Sequence, residues 1–399
     1  MERILGTKSI NIRSGALRFA IVLLLVLVII TQTGCQKKKD PTPLWDEGEY
    51  LGSICRITLY ATDDELKMSV AKPIINDAFE LIGRYERTFS KDKSGSDIWR
   101  LNESKGQPTE CAAETIDLLL DAITYSELSA GTFDMTMGSV NELWNFDGAS
   151  ETKAAPTSAE LSRAIKHVGY TNILIDGYTV TLLDPETKLD VNEIAKGFIA
   201  EKVGAYLRSR GITGAVIDFG GVIEVVGYKA GWVPLQSEVE EHGDVDGDGI
   251  EESVGGIAGG TPFVIGIKNP QSEDGELLGA LTTGNKAIVT SELYDKYLEA
   301  NGKKYHHILS TKTGYPVNTD LISATVVGPP HSALTCDVLS TICLAKGFDS
   351  AKEIMAQYPE YGAILIDDTG EITKIGNLPE FTLVGSEEVD LTEEGIKVE

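Results

Sequence analysis

The stretch that most constrains the fold is AVIDFGGVIEVVG, residues 215–227. It is apolar apart from two acids, and the pair Gly220-Gly221 divides it into halves of strand length. Short apolar runs bounded by glycine are typical of buried strands, and a glycine pair marks a point where the chain can reverse. The sequence therefore predicts a buried strand that turns over at Gly220 and Gly221.

Strands and helices are both predicted around this stretch, from alternating or apolar runs and from apolar residues at helical spacing. The predicted strands are residues 51–61, 172–176, 179–183, 262–270, 280–291 and 321–329. The predicted helices are residues 67–90, 115–130, 158–169, 193–211 and 336–347, with a helix–strand–strand tail behind them. Because the two kinds of element are mixed without strict alternation, we predict an α+β fold with a largely antiparallel sheet core and packed helices.

The first 34 residues have the pattern of an export signal. Basic residues precede an uninterrupted apolar run at residues 20–30, which is short for a membrane span, and Gly34-Cys35 follow at once. The ending resembles a lipobox, which would make Cys35 the lipidated first residue of an extracytoplasmic protein, periplasmic or on the cell surface. A plain secretion signal or an anchor helix is the alternative. We expect a tether at residues 35–49 and the folded domain at residues 50–399.

The composition argues against two classes of function. A net charge of −26 repels nucleic acid and anionic lipid, so no nucleic-acid partner is expected through broad electrostatics. No CxxC pair occurs, so a zinc site is not indicated. Disulfides and buried free thiols both stay open for the four cysteines after Cys35, which are Cys55, Cys111, Cys336 and Cys343.

An acidic insert at about residues 236–260 contains the sequence DVDGDG. Asp244, Asp246 and Asp248 alternate as in the opening of an EF-hand-like calcium loop. Gly255 stands where a glutamate would close such a loop, so the pattern is incomplete. The insert is either a structural Ca²⁺ site or a solvated acidic loop.

Four polar, glycine-marked stretches carry the chemistry. GTFD (131–134), LDVNEIAKG (189–197) and DFGGVIE (218–224) lie at turns, and Asp337 precedes Thr341 by four residues on one helix face. Backbone N–H groups at a helix start favour anions, and a carboxylate with a hydroxyl can hold one hard cation. Together the stretches suggest a phosphate-bearing ligand.

The segment KKYHHILSTKTGYPVN (303–318) contains two adjacent histidines. Adjacent residues on a strand point to opposite faces, which argues against a zinc site made by His306 and His307 together. From the residues alone, His307 is either a reactive group or a core histidine bonded to a backbone carbonyl.

In their order and spacing these stretches resemble the FAD:protein FMN transferase family, the ApbE-like proteins, over roughly residues 50–375. The resemblance is carried by LGS (51–53), ERTFSKDKSGSDIWRLN (86–102), GTFDMTMGSVNELWNF (131–146), LDVNEIAKGF (189–198), DFGGVIEVVG (218–227), IVTSELYDKY (288–297), YHHILSTKTGYPV (305–317) and Asp337…Thr341.

The resemblance implies an ApbE-like flavin transferase fold and a Mg²⁺-dependent enzyme anchored to the cell membrane by lipid. Such an enzyme cleaves the FAD pyrophosphate, attaches FMN through a phosphoester to a Thr or Ser of an acceptor flavoprotein, and releases AMP. The acceptor would be a subunit of an exported or membrane redox complex. The alternatives are an FAD pyrophosphatase giving FMN and AMP, and a non-catalytic, lipid-anchored flavin-binding protein.

The resemblance also implies roles for single residues. Asp337, Thr341 and the backbone carbonyl of Ala195 would hold Mg²⁺. His307 would be the general base, a role that histidine often takes in enzymes. Contacts to FAD are implied for Leu51, Gly52, Thr132, Phe133, Asp134, Asn192, Lys196, Phe198 and Lys268.

Overall fold

The computed structural model describes residues 43–60, 70–146, 154–229, 261–272, 274–293 and 296–384. The α-helices in these ranges are α1 (Lys72–Phe89), α2 (Asp97–Glu103), α3 (Ala113–Leu128), α4 (Gly138–Trp144), α5 (Ser158–Ala164), α6 (Asn192–Ser209), α7 (Ala333–Lys346) and α8 (Phe348–Met355). The first strands are β1 (Leu44–Tyr50), β2 (Ser53–Leu59), β3 (Thr109–Glu110), β4 (Ile173–Asp176), β5 (Thr179–Leu182), β6 (Gly214–Phe219), β7 (Val222–Gly227) and β8 (Phe263–Lys268). The later strands are β9 (Leu277–Thr283), β10 (Ala287–Glu292), β11 (Tyr297–Ala300), β12 (Lys303–His306), β13 (Leu321–Gly328), β14 (Gly362–Asp367), β15 (Ile372–Gly376) and β16 (Glu380–Leu383).

One eight-stranded sheet, in the order β1-β2-β6-β7-β10-β13-β14-β15, organises this part of the chain. Its strand pairs are antiparallel, as are those of three smaller sheets, β16-β9-β8, β3-β5-β4 and β11-β12. The predicted α+β class with an antiparallel core is confirmed.

The reversal predicted at the glycine pair is a two-residue hairpin between β6 and β7. Asp218 pairs with Ile223, and Gly220 and Gly221 between the strands have φ values of +63° and +88°. Positive φ at both central residues is what the twist of a tight hairpin requires, and glycine adopts it at no steric penalty. The turn therefore follows directly from the sequence.

Helices α1, α6 and α7 bury apolar faces in the main core beside the large sheet. On α1, Pro73 occupies the start of the helix, and Ile75, Ile82 and Phe89 are fully buried at helical spacing. Gly197 on α6 has no room for a side chain, because a Cβ there would lie 2.6 Å from Leu334 Cα. This close contact holds α6 against the start of α7.

The first strand occupies part of the segment that the sequence predicts to be a tether. Residues 44–49 of that segment belong to β1, which pairs with β2 from Leu44–Leu59 to Tyr50–Ser53. Leu44 and Tyr50 pack against the core, and Asp46 lies on the same side of the strand, whereas Trp45 is 53% exposed. An acid on the inner side and a tryptophan on the outer side break the alternation that would have predicted a strand.

Of the two alternatives for the cysteines, the structure shows free thiols. Cys55, Cys111, Cys336 and Cys343 are all buried and unpaired. Burial raises the pKa of Cys111 and that of Cys343 to about 12, so these thiols are inert at neutral pH.

Some predictions fall on other parts of the chain. The signal segment 1–34, Cys35 and the insert with Asp244, Asp246 and Asp248 lie outside the described residues. Within the described ranges, no helix has both the length and the apolar character needed to cross a membrane.

Candidate active site

A cleft beside the β6–β7 turn collects residues from distant parts of the chain. Of the residues predicted for the site, it is lined by Leu51, Asn192, Lys196, Lys268, His307 and Asp337. They come from the β1–β2 turn, the first turn of α6, the end of β8, the residue after β12, and α7. The structure therefore joins in one place motifs that are up to 286 residues apart, between Leu51 and Asp337.

The start of α6 is fixed by the aspartate that precedes it. Asp190 accepts hydrogen bonds from the backbone N–H of Asn192 at 3.2 Å, from Lys91 Nζ at 2.6 Å and from Asn141 Nδ2 at 2.9 Å. These bonds anchor the first helical turn, where Lys196 faces the cleft. The positive end of the helix dipole is thus directed at the ligand space.

Asp337 is buried, with 5% of its surface exposed, and faces α6 from α7. Its Oδ2 accepts a hydrogen bond from the backbone N–H of Gly197 at 3.0 Å. Burial raises the pKa of Asp337 to about 7; the Lys196 ammonium opposes this shift, and Glu193 adds to it. Burial makes the ionised form of this carboxylate unfavourable when no cation is nearby. A bound cation would stabilise the ionised form, so the residue suits a cation site.

A group of oxygen atoms lies one helical turn beyond Asp337 on α7. Thr341, one turn further along α7, has its Oγ1 at 3.2 Å from Ser291 Oγ and at 3.3 Å from Glu193 Oε2. Ser291 Oγ also lies 2.7 Å from Ser340 Oγ. Carboxylates and hydroxyls are the donors that a hard cation such as Mg²⁺ takes, so this set fits the ion.

The protein supplies only part of a metal shell here. Within the described residues, no group of three or more His, Cys, Asp or Glu side chains is placed to hold a metal ion. Mg²⁺ is commonly held by one or two carboxylates together with the phosphates of a ligand. The donor set around Asp337 matches that pattern of shared binding.

Two lysines in the cleft wall are available to an anion. Lys196 and Lys268 both line the cleft, and in the part of the chain that the structure describes neither forms an ion pair. Cationic side chains beside a helix start attract phosphate groups. The cleft therefore brings oxygen atoms of the kind that a hard cation takes close to lysines of the kind that an anion takes.

The two histidines face different surroundings, as the sequence predicts. His306 is 7% exposed, with its Nε2 3.2 Å from the Val317 carbonyl oxygen. His307 lines the cleft, and its Nδ1 lies 3.1 Å from the Lys296 carbonyl oxygen. Because a carbonyl only accepts, Nδ1 carries the hydrogen, and in the neutral ring Nε2 keeps a lone pair for a proton.

The turn after His307 is tied to the GTFD stretch. The Thr311 hydroxyl donates to the Gly131 carbonyl at 2.6 Å, and the Trp144 indole N–H donates to the Gly314 carbonyl at 2.7 Å. Two of the recognised motifs thus form one supporting unit behind His307.

Within GTFD, the aspartate serves the local backbone. Asp134 accepts hydrogen bonds from the Thr136 N–H at 2.9 Å, the Thr136 hydroxyl at 2.6 Å and the Tyr170 N–H at 2.9 Å. Phe133 is 6% exposed and belongs to the main core. Neither residue lines the cleft, nor does Thr132, so their contacts to FAD stay predictions.

Besides Thr341, which neighbours the lining residues Ser291 and Glu193, three further predicted residues lie outside the lining of the cleft. Phe198 packs edge-on against Phe89 and Tyr85, with ring centroids 5.5 and 5.8 Å apart. Gly52 is exposed on the β1–β2 turn, and Ala195 is fully buried one residue before Lys196. Their assigned contacts to FAD or Mg²⁺ stay predictions.

Several lining residues had not been singled out from the sequence. They include Ser53, Glu193, Ser291 and Lys296. Each lies inside or beside a stretch already recognised, since Glu193 follows Asn192 and Ser291 belongs to IVTSELYDKY. The stretches pointed to the right segments, but which side chain faces the cleft depends on packing.

Comparison with known proteins gives consistent matches. The model of the ApbE family matches residues 51–365. An FAD:protein FMN transferase of Treponema pallidum (strain Nichols) is 25% identical over 326 residues, which cover 79% of this chain and 82% of that protein. One of Klebsiella pneumoniae (strain 342) is 27% identical over 327 residues, covering 81% and 88% of the two chains.

Solved structures share the fold. The ApbE protein of Thermotoga maritima superposes with a TM-score of 0.68 at 24% identity, covering 84% of this chain and 97% of its own. The flavin transferase ApbE from Vibrio cholerae gives a TM-score of 0.65 at 23% identity with the same coverage. The fold predicted from the sequence is thereby confirmed.

Proposed function

The chain belongs to the ApbE family, whose model matches most of its length, and on that premise we propose that it is an FAD:protein FMN transferase. The observation that carries the proposal is one cleft lined by Asp337, His307 and two lysines, Lys196 and Lys268, that form no ion pair in the described part of the chain. FAD is the substrate, and a flavoprotein is the acceptor.

In the proposed reaction, the hydroxyl oxygen of an acceptor Thr or Ser bonds to the phosphorus of the FMN half of FAD. The bond from that phosphorus to the oxygen of the AMP phosphate breaks, and AMP leaves with the electron pair. The hydroxyl proton passes to a base. The products are a phosphoester-linked FMN and AMP, and no oxidant or reductant is needed.

Charge neutralisation and positioning are the main demands of phosphoryl transfer. Lys196 and Lys268 meet the diphosphate charge, and the start of α6 directs its N–H groups at the same region. Asp337, Thr341 and the carbonyl of Ala195 would hold Mg²⁺, which when bound offsets the negative charge that builds up on the phosphate oxygens.

His307 is the proposed base. Its Nδ1–H donates to the Lys296 carbonyl, which fixes the ring and directs the basic Nε2 away from that carbonyl. A positioned base typically accelerates proton transfer by ~10²–10⁴. A purely structural histidine would also bond to a backbone carbonyl, so what supports the role of base is that His307 lines the cleft.

For the cellular context, we propose that the chain is exported and anchored to the cell membrane through lipid on Cys35. The support is the basic and apolar pattern of residues 1–34, with Gly34-Cys35 behind it. The acceptor is then a subunit of an exported or membrane redox complex, on the same extracytoplasmic side.

The test is incubation of the purified protein with FAD, Mg²⁺ and a threonine-bearing acceptor flavoprotein. The proposal expects AMP in equal amount to FMN bound covalently to the acceptor. AMP with free FMN and an unmodified acceptor would identify a pyrophosphatase instead. Bound FAD without AMP would identify a flavin-binding protein without turnover.

A further inference from the structure

Glu193 is a cleft residue to which the proposed reaction assigns no role. It lies in the first turn of α6 and is half-buried. Its Oε2 accepts a hydrogen bond from Thr341 Oγ1 at 3.3 Å, so it lies beside a residue assigned to the cation. Within the described residues it takes part in no ion pair. Burial removes part of the hydration of this carboxylate, and one long hydrogen bond offsets only part of that cost.

The hydroxyls near Glu193 contain too few hydrogens for the contacts they make. Four contacts join oxygen atoms in a chain: Ser340 Oγ to the Asp337 carbonyl at 2.9 Å, Ser291 to Ser340 at 2.7 Å, Ser291 to Thr341 at 3.2 Å, and Thr341 to Glu193 at 3.3 Å. Each hydroxyl has one hydrogen, so three hydrogens serve these four contacts. However the three hydrogens are assigned, one of the four oxygen pairs has no hydrogen between its two atoms.

A cation removes this mismatch. Oxygens that face each other with lone pairs repel, and a bound cation converts the repulsion into attraction. Thr341 Oγ1, in the middle of the chain of contacts, is the shared neighbour of Ser291 and Glu193. The contacts therefore bring the Glu193 carboxylate beside the Thr341 hydroxyl, so that one cation can bind to both.

We propose that Glu193 supplies a second carboxylate ligand to the cation that Asp337 and Thr341 hold. The proposal rests on the cation assignment within the proposed function. Affinity for a hard cation rises with the number of charged oxygen ligands. With both Asp337 and Glu193 in place, the protein binds Mg²⁺ before FAD arrives, rather than only as a complex with the diphosphate.

The experiment measures Mg²⁺ binding by isothermal titration calorimetry on the full chain without FAD. We expect the wild-type protein to bind Mg²⁺ alone and Glu193→Gln to bind it at least ~10-fold more weakly. Glu193→Asp, which keeps the carboxylate, should lie between the two. Glu353→Gln, which removes one exposed carboxylate on α8, should leave the dissociation constant unchanged. Thermal melts without Mg²⁺ verify that each variant is folded.

Two results would overturn the proposal. One is a Glu193→Gln protein with wild-type Mg²⁺ affinity while Asp337→Asn loses it, and the other is a wild-type protein that binds no Mg²⁺ without FAD. Failure of the proposed function is distinguishable from both. A protein that binds Mg²⁺ through Glu193 but never transfers FMN refutes the transferase activity and leaves the ligand assignment intact.

Discussion

Asp337 Oδ2 accepts a hydrogen bond from the backbone N–H of Gly197, with 3.0 Å between the two atoms. The residues belong to different helices, α7 and α6, and the bond forms where these helices are in closest contact. Gly197 allows that contact, because any Cβ there would meet the backbone of Leu334. The position of the key carboxylate therefore depends on a missing side chain on the opposite helix.

Gly197→Ala should separate α6 from α7. The added Cβ would lie 2.6 Å from Leu334 Cα and 2.7 Å from the Ala333 carbonyl oxygen. Both are backbone atoms, so relieving the clash requires one helix to shift away from the other. We expect a loss of about 1–3 kcal/mol in the free energy of unfolding, measured with urea. In Gly83→Ala, on α1, the Cβ meets the end of the Arg87 side chain at 3.3 Å and Tyr50 Cε1 at an ordinary contact distance of 3.6 Å, so that control should be neutral or stabilising. Equal effects at both glycines would refute the close-contact account.

Asp337→Asn should slow turnover strongly and keep the fold. The amide oxygen can still accept from Gly197, and the buried negative charge is gone, so the melting temperature without Mg²⁺ should not fall. Loss of the cation ligand should slow AMP release on the order of 10²–10³-fold. AMP release at the wild-type rate would remove Asp337 from the cation site.

His307→Ala should slow FMN transfer much more than it weakens FAD binding. Loss of a general base typically lowers the rate by ~10²–10⁴, while a residue that only accepts a proton adds little to ground-state affinity. His306→Ala is the control: it should lower stability, since His306 is buried, but spare the rate of transfer. Equal losses of transfer and of FAD affinity in His307→Ala would indicate a structural histidine.

Glu201→Gln should stabilise the protein increasingly as the pH rises. Burial raises the pKa of Glu201 to about 8. The hydrogen bond from the Leu334 N–H lowers this pKa, and the negative charge of Glu224 raises it further. From its ordinary pKa up to about 8, the folded chain therefore holds a proton that the unfolded chain has lost, so stability falls as pH rises through this window.

Glutamine cannot ionise and can still accept the Leu334 N–H, so it removes this pH dependence. Urea unfolding at pH 5 and pH 9 should show the advantage of the variant growing by about 1 kcal/mol or more. The same difference between variant and wild type at both pH values would contradict the buried, neutral Glu201.

Much of the fold follows from local sequence. The glycine pair predicts the β6–β7 reversal. The spacing of Asp337 and Thr341 predicts that they share one face of α7, and in the structure Asp337 contacts Gly197 and Thr341 contacts Ser291. Strand β1 is missed because Asp46 lies on its inner side and Trp45 on its outer side, so the sequence does not alternate. Its pairing with β2 is a tertiary property that local sequence does not show.

The site is harder to read, because side-chain partners are set by packing between distant segments. The resemblance implies an FAD contact for Asp134, which stays a prediction, and the bonds of its carboxylate to Thr136 and Tyr170 are visible only in the structure. Glu193 carries no periodic or spacing signal of its own, and it becomes notable only once Thr341 lies beside it.

The most direct test of the central claim is mass spectrometry of a candidate acceptor flavoprotein co-expressed with the full chain. The account predicts a covalent FMN adduct on a single Thr or Ser of the acceptor, formed with wild-type protein and absent with Asp337→Asn. An acceptor that stays unmodified while the purified protein converts FAD into AMP and free FMN would contradict it.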